Sequence, residues 1–150
     1  MKTFLLSLSI ILLTQAVRAQ STEDSVKATV NRLFAAMKES DGKKLASTFS
    51  DSAVLQTISK NKKGETVVLN EQVNDFSGSV GKLPVGDADE RIVFETIKVD
   101  GPLAMVWAPY QFWYKGKFSH CGVDVFQLVR MQGEWKIVYL IDTRRTSPCL

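Results

Sequence analysis

Four β-rich runs joined by short glycine-containing turns limit the fold of this chain most strongly. The runs are Arg91–Val99, Leu103–Tyr114, Phe118–Met131 and Glu134 to about Thr146. The turns Asp100-Gly101, Lys115-Gly116 and Gln132-Gly133 are too short to contain a crossover helix, so the strands that they join must be antiparallel. Two runs exceed ten residues, and strands of that length in a small domain must curl to bury themselves. We therefore expect a strongly curved antiparallel sheet with one concave face.

The segment before these runs carries helical and hairpin patterns. Apolar residues recur at helical spacing and give a first helix one face to bury. Gly42 is expected to end this helix, and a short second helix follows over about 43–49. Alternating residues then predict a hairpin over 53–58 and 65–69, and a third short helix follows Asn70. The apolar stripe of the first helix consists of Val26, Val30, Leu33, Phe34 and Met37.

The first nineteen residues are typical of a secretory signal peptide that is cleaved after Ala19. Lys2 precedes an apolar run, Phe4–Leu13, and small residues precede the cleavage site. This run of about ten residues is half the length that a membrane-spanning helix needs, so no permanent membrane span is expected. We predict a secreted or periplasmic protein with one domain, residues 20–150. A composition of 45% hydrophobic and 23% charged residues fits one globular domain.

Charge and motif content exclude several classes of function. The formal net charge is +3, and it falls to about +1 without Lys2 and Arg18. A nearly neutral domain is poorly suited to neutralising a phosphate backbone, so we expect no nucleic-acid partner. One histidine and two cysteines cannot supply a typical zinc site. The chain also lacks a phosphate loop, a dinucleotide glycine pattern and a Gly-x-Ser-x-Gly motif, so no cofactor is predicted.

Cys121 and Cys149 are the two cysteines of the chain. Export would place them in an oxidising compartment, where a disulfide can form. A bridge requires the C-terminal tail to fold back onto a strand, so the sequence leaves the pairing open. A nucleophilic Cys121 is disfavoured because the adjacent His120 side chain points to the opposite face of a strand.

The two later turns allow an estimate of strand register. They place Asp124 between Trp107 and Ile141. They also place His120 opposite Gln111. One face of the sheet then carries all three tryptophans, the histidine and an acid, and we take this face as concave. A slip of one residue would reverse the assignment for part of a strand. The predicted concave face consists of Trp107, Gln111, Trp113, His120, Asp124, Phe126, Trp135, Ile137, Tyr139 and Ile141.

This predicted face combines apolar contact area with groups that can transfer protons. Desolvation raises the pKa of an acid among aromatic side chains, which suits a general acid or base near neutral pH. Asp124 and His120 are therefore the candidate catalytic residues. Two structural alternatives stay open: Asp124 as a hydrogen-bonded anchor, and Asp142 in a salt bridge with Arg144 or Arg145. The candidate ligand-binding residues are Trp107, Gln111, Trp113 and Tyr139.

The order of elements and three groups of residues resemble the nuclear transport factor 2-like superfamily. These groups are Leu33, Phe34 and Met37; Phe49, Asp51 and Ala53; and the C-terminal run from His120 to Arg145. The chain is most similar to the small exported bacterial members named SnoaL-like or putative lumazine-binding proteins. The resemblance implies an α+β cone in which N-terminal helices pack on a strongly curved antiparallel sheet. In the enzymes of this superfamily, acids, histidines and tyrosines inside the cone transfer protons, which implies such roles for Asp124, His120 or Tyr139.

Three functions are compatible with these features. The first is an exported domain that binds a small apolar or aromatic molecule in its cone. The second is a cofactor-free isomerase, cyclase or dehydratase that uses Asp124 and His120 as an acid-base pair. The third is a structural module that forms a homodimer through its sheet.

Overall fold

The computed structural model describes residues 22–149, in which three helices pack against a seven-stranded sheet. The helices are α1 (22–38), α2 (Gly42–Ala46) and α3 (Val73–Val80). The strands are β1 (Phe49–Lys60), β2 (Thr66–Glu71), β3 (Ala88–Ile92), β4 (Thr96–Asp100), β5 (Leu103–Tyr114), β6 (Lys117–Met131) and β7 (Glu134–Thr143). The predicted signal peptide lies outside the described residues. Within residues 22–149, none of the helices has the length and apolar character needed to cross a bilayer.

The sheet confirms the predicted α+β class, with helices on a curved sheet. Its strand order is β2-β1-β7-β6-β5-β3, and β4 also pairs with β5. Strands β5, β6 and β7 form the antiparallel meander that the glycine turns predict. The run predicted over 91–99 is divided into β3 and β4, which pair with opposite halves of β5. Strand β1 joins β7 in parallel, so the sheet is mixed.

Helix α1 covers the concave face of the sheet with its apolar stripe. Val26, Val30, Leu33 and Met37 are buried, as their helical spacing predicts. Phe34 meets Phe126 of β6 edge-on, with the ring centroids 6.1 Å apart. The stripe therefore forms the helical side of the core.

The connection between α1 and α2 differs from the prediction. Ser40, rather than Gly42, adopts the left-handed conformation after α1, with a φ of 56°. Gly42 begins α2, and Asp41 caps that helix by accepting a hydrogen bond from the Lys44 amide at 2.9 Å. A Cβ atom on Gly42 would lie 2.4 Å from the Ser77 carbonyl oxygen. A glycine is needed here because α2 and α3 approach each other closely.

The two later predicted turns are present, but each strand pair shifts by one residue beyond its turn, and the first turn falls at Gly101-Pro102 rather than Asp100-Gly101. Residues Lys115-Gly116 and Gln132-Gly133 all have positive φ, as tight hairpin turns require. Ser119 is an extra residue on β6 between the pairs formed by Phe112 and Trp113. Val138 is an extra residue on β7 at the second irregularity. These bulges reverse which side chains face the interior.

The predicted register at the candidate site is therefore wrong. Asp124 lies opposite Ala108 of β5 and Asp142 of β7, rather than opposite Trp107 and Ile141. In the same way, His120 lies opposite Phe112 rather than Gln111. The concave face combines side chains from both faces of the predicted sheet. Its members near the site are Tyr110, Phe112, His120, Asp124, Phe126, Leu140 and Asp142.

The C-terminal tail folds back against β6. A disulfide joins Cys121 to Cys149 with the Cα atoms 5.9 Å apart. Two backbone hydrogen bonds of 2.8 and 2.9 Å join Cys121 to Arg145. A Cβ atom on Gly122 would lie 1.7 Å from the Thr143 carbonyl oxygen. Gly122 thus allows the end of β7 to lie directly against β6.

Candidate ligand-binding cavity

A cavity of about 260 Å³ lies between the helices and the concave face of the sheet. Its helical side is apolar, whereas the strands supply most of its polar groups. The apolar side chains of the helical side come from α1, α3 and the loop after α3: Leu33, Phe34, Met37, Phe76, Val80 and Leu83. The titratable side chains are Glu71, Glu90, Tyr110, His120, Asp124, Asp142 and Arg144.

Glu90 and Asp124 form a carboxyl pair on the cavity wall. A hydrogen bond links their side chains, although Glu90 lies on β3 and Asp124 on β6. Two carboxylates cannot form such a bond, so one of them must hold a proton. Burial, followed by the charge of Glu90, raises the pKa of Asp124 well above its usual range. Burial raises the pKa of Glu90 to about 7. The pair therefore shares a proton under conditions in which exposed carboxyls have lost theirs.

Asp142 forms the centre of a separate, well-paired network. Thr57 Oγ1 donates to Asp142 Oδ1 at 2.6 Å. Tyr110 Oη lies 3.2 Å from Asp142 Oδ2, and Arg144 Nε donates to the same oxygen at 2.8 Å. Arg144 Nη2 also donates to Thr57 at 3.1 Å. The salt bridge between Asp142 and Arg144, left open by the sequence, is thus present at the cavity wall. The guanidinium of Arg144 thereby compensates the charge of Asp142.

His120 lines the cavity as an aromatic ring more than as a charged group. Its ring centroid lies 5.7 Å from that of Tyr110 and 5.1 Å from that of Phe112. Its Nδ1 atom lies 3.1 Å from Ser119 Oγ. Burial, together with the charge of Arg144, lowers the pKa of His120 below its ordinary value. The imidazole is therefore neutral at physiological pH.

The structure brings two of the six predicted site residues to the cavity. Asp124 and His120 line it, whereas none of the four predicted ligand-binding residues does. Trp107 is 42% exposed on the convex face. Arg91 covers the ring of Trp113 at 4.7 Å. The predicted positions of these two tryptophans on the concave face are wrong because of the one-residue shift between β5 and β6 at Ser119.

The other two predicted ligand-binding residues also lie outside the cavity lining. Gln111 pairs with Arg91 of β3 and Cys121 of β6, between the inward residues Tyr110 and Phe112. The Tyr139 hydroxyl donates to Gln56 Oε1 at 2.5 Å. Because Gln56 does line the cavity, Tyr139 supports its wall indirectly.

Sequence reasoning missed Glu90, Tyr110 and Arg144 as site residues. Glu90 was outside the predicted strand, which began one residue later at Arg91. The signal was the alternation of Ala88, Glu90 and Ile92, which places an acid on an otherwise apolar face. Within the described part of the chain, no group of three or more potential ligand residues is placed to hold a metal ion.

Comparison with known families and structures agrees with this architecture. The model of the family described as "Putative lumazine-binding" matches residues 21–140. No curated protein sequence matches the chain. A nuclear transport factor 2-like protein of unknown function from Silicibacter pomeroyi superposes with a TM-score of 0.67 at 19% identity, covering 85% of this chain and 98% of its own.

Two further solved structures have the same fold. A nuclear transport factor 2-like protein of unknown function from Shewanella baltica has a TM-score of 0.66 at 13% identity, covering 85% of this chain and 96% of its own. A protein from Streptomyces avermitilis, described as a putative dehydratase of the same family, has a TM-score of 0.62 at 14% identity. That match covers 86% of this chain and 99% of the other. At identities this low, the similarity to these structures shows a shared fold and nothing further.

Proposed function

Because this chain belongs to the putative lumazine-binding family of the nuclear transport factor 2-like superfamily, we propose that it is an exported domain that binds a small, partly apolar molecule in its cone. The observation that carries this proposal is the cavity between the helices and the sheet. Its volume of about 260 Å³ lies just below the range of about 300–1,000 Å³ for sites that hold drug-sized ligands. A compact ligand of one or two rings is therefore the expected occupant.

The lining of the cavity supports binding by contact area on one side and by hydrogen bonds on the other. Leu33, Phe34 and Met37 present apolar surface from α1. The Glu90–Asp124 pair and the Asp142 network face them from the sheet. A few polar groups in an apolar wall fix the orientation of a ligand without supplying most of its binding energy.

Two observations support export of this domain. The N-terminal sequence is typical of a signal peptide. The Cys121–Cys149 disulfide is of a kind that persists in oxidising compartments and is rare in the cytosol.

Blocking the cavity tests ligand binding. Native mass spectrometry of the protein purified from its own envelope fraction would report a retained small molecule. Calorimetric titration with lumazine supplies a defined probe, which the family description suggests. We expect Leu83→Trp, on the cavity wall, to abolish retention and to weaken lumazine binding at least tenfold. Val85→Trp is the matched control because Val85 is 76% exposed outside the lining. The proposal is wrong if neither measurement shows a bound molecule, or if Leu83→Trp leaves it bound.

A second candidate function, a cofactor-free isomerase, cyclase or dehydratase, is favoured by the shared proton of Glu90 and Asp124. A carboxyl with a pKa of about 7 can accept a proton at neutral pH and return it within one turnover. Incubation of the retained ligand with wild-type protein and with Asp124→Asn distinguishes the two functions. An enzyme would convert the ligand, and the variant would lose conversion by about 10²-fold or more. An unchanged ligand, bound equally by both proteins, would exclude proton transfer.

A further inference from the structure

The cavity carries more negative than positive groups. Four carboxyls line it, from Glu71 at the end of β2, Glu90 on β3, Asp124 on β6 and Asp142 on β7. Arg144 is the one lysine or arginine among the described lining residues. Tyr110 on β5 and His120 on β6 are the other titratable groups, and the helices contribute none. His120 is neutral at physiological pH, so it does not change this balance.

The one lining guanidinium is already bound. Arg144 donates to Asp142 at 2.8 Å and to Thr57 at 3.1 Å. These bonds hold it in the Asp142 network, from which its charge acts on Glu90 and Asp124 only through space. Among the described lining residues, no cationic side chain is therefore hydrogen-bonded to the carboxyl pair.

The Asp124 carboxyl is also short of hydrogen-bond donors. Asp124 is 4% exposed, and within the described part of the chain no amide, hydroxyl or side-chain nitrogen donates to its Oδ2 atom. Its neighbour is the Glu90 carboxyl, which is itself an acceptor unless protonated. A buried carboxyl usually accepts two or more hydrogen bonds, and leaving it without them has a large energetic cost. Apart from the proton shared with Glu90, Asp124 therefore lacks donors, and it lies on the wall of a cavity that a ligand can enter.

We propose that the Asp124–Glu90 pair recognises an organic cation that presents planar, paired N–H donors, such as an amidinium, a guanidinium or a protonated 2-amino nitrogen heterocycle. This inference rests on the proposed ligand-binding function and names the ligand class for the same cavity. The planar fork of such a group matches the two oxygens of a carboxylate, and charge-assisted bonds of this type are the strongest hydrogen bonds in proteins. The apolar wall from α1 would cover the rest of the ligand.

Binding of a cation has a defined consequence for protons. The free pair holds one proton between its two carboxyls. In the bound pair, the N–H donors of the ligand take the place of this proton. The ligand enters as a cation, and the displaced proton leaves to solvent. Affinity therefore rises with pH while the free pair is protonated, by at most about tenfold per pH unit for one proton released.

Three isosteric probes test this inference. Benzamidine is a cation, benzamide is neutral and benzoate is an anion, while their ring and planar substituent are nearly the same in shape. Calorimetric titration of wild-type protein at pH 6, 7 and 8, in buffers of different ionisation enthalpy, measures affinity and proton release together. We expect benzamidine to bind at least tenfold more tightly than benzamide at pH 8, with release of up to one proton.

Substitutions test which side chains recognise the cation. Asp124→Asn removes the charge while keeping the shape of the side chain, and should weaken benzamidine at least tenfold with little effect on benzamide. Asp89→Asn is the control because Asp89 is next to Glu90 in sequence but bonds to Lys38 and Arg91 outside the cavity. This variant should change affinity less than twofold. The comparison of probes on wild-type protein does not depend on the folding of either variant.

Each outcome decides the inference separately from the proposed function. Equal or tighter binding of benzamide or benzoate overturns the cationic ligand class but leaves a ligand-binding cavity in place. Benzamidine binding without proton release, or binding that Asp124→Asn does not weaken, overturns the role of the carboxyl pair. Failure of all three probes to bind also overturns the inference. Lumazine binding and the effect of Leu83→Trp decide the proposed function independently.

Discussion

The carboxyls of Glu90 and Asp124 are joined by a hydrogen bond although β5 lies between their strands. Side chains on strands separated by a third strand normally lie about 10 Å apart at their bases, because neighbouring strands are spaced by about 4.8 Å. Long side chains on a concave sheet converge toward its centre, which allows this contact. The fold thereby holds a proton between two acids in its interior.

This pair makes the stability of the protein depend on pH. The pKa of Glu90 is about 7 in the folded protein, against an ordinary value of 4.5. Between these values the folded state holds more protons than the unfolded state, so the free energy of unfolding falls as pH rises. The expected loss from Glu90 is on the order of 3 kcal/mol between about pH 4.5 and pH 7. The raised pKa of Asp124 lowers the stability further in the same direction as pH rises. Urea denaturation at pH 5, 6, 7 and 8 measures it.

Glu90→Gln should reduce this slope at least by half because it removes the group that titrates near pH 7. Glu65→Gln is the control, since Glu65 lies in the exposed turn between β1 and β2. That variant should keep the wild-type slope. A wild-type stability that is flat or rising across this window would show that the two carboxyls do not share a proton.

The Tyr110 hydroxyl stabilises the Asp142 network. It lies 3.2 Å from Asp142 Oδ2 and 2.9 Å from the Thr143 carbonyl oxygen. Burial raises the pKa of Tyr110 above its ordinary value, so this hydroxyl keeps its proton. Tyr110→Phe should lower the free energy of unfolding by about 1–2 kcal/mol. Tyr114→Phe, at a side chain that is 40% exposed, should change it by less than about 0.5 kcal/mol. Equal effects of the two substitutions would contradict a role for the buried hydroxyl.

Local sequence signals predicted the fold well. The turns at Lys115-Gly116 and Gln132-Gly133 need positive φ, so their residues identify them without tertiary information. The stripe of α1 follows in the same way from helical periodicity. The parallel pairing of β1 with β7 has no local signal, since it joins segments far apart in the chain.

The site was harder to predict because it depends on bulges. Ser119 and Val138 have no residue type that marks a bulge, yet each shifts its strand pair by one residue. The alternation of side chains between the two faces of β6 is unbroken from His120 to Asp124. These two residues were therefore placed on one face, as observed. Their neighbours on β5 and β7 were inverted, which exchanged Trp107 and Ile141 for Ala108 and Asp142.

The homodimer expected through the sheet stays a prediction, and Trp107 is the residue that tests it. Trp107 is 42% exposed on the convex face and lies opposite Val125 of β6. A second copy on this face would cover the indole. If the dimer forms, Trp107→Lys should shift sedimentation toward the monomer, whereas Val85→Lys in an exposed loop should not. Sedimentation of the wild-type chain as a monomer at micromolar concentration would exclude the dimer.

Gly122 should be intolerant of any side chain. A Cβ atom there would lie 1.7 Å from the Thr143 carbonyl oxygen and 2.8 Å from the Tyr110 ring. Gly122→Ala therefore requires backbone movement, and we expect a loss of about 2–4 kcal/mol in the free energy of unfolding. Gly78→Ala in α3 is a control with the opposite expected effect, because nothing lies within 4 Å of its Cβ position. It should stabilise the protein by about 0.5–1 kcal/mol. A tolerated Gly122→Ala would show that β7 does not lie directly against β6.

The disulfide should contribute strongly to stability because it closes a long loop. Cys121 and Cys149 are separated by 28 positions, for which loop-closure entropy predicts about 3–4 kcal/mol. Cys149→Ala removes the bridge without altering the buried Cys121, and it should lower the free energy of unfolding by this amount. Addition of a reductant to wild-type protein should have the same effect, whereas Thr146→Ala, a tail substitution that leaves the bridge in place, should have almost none. Equal denaturation midpoints with and without reductant would mean that backbone pairing between Cys121 and Arg145 is enough to hold the tail.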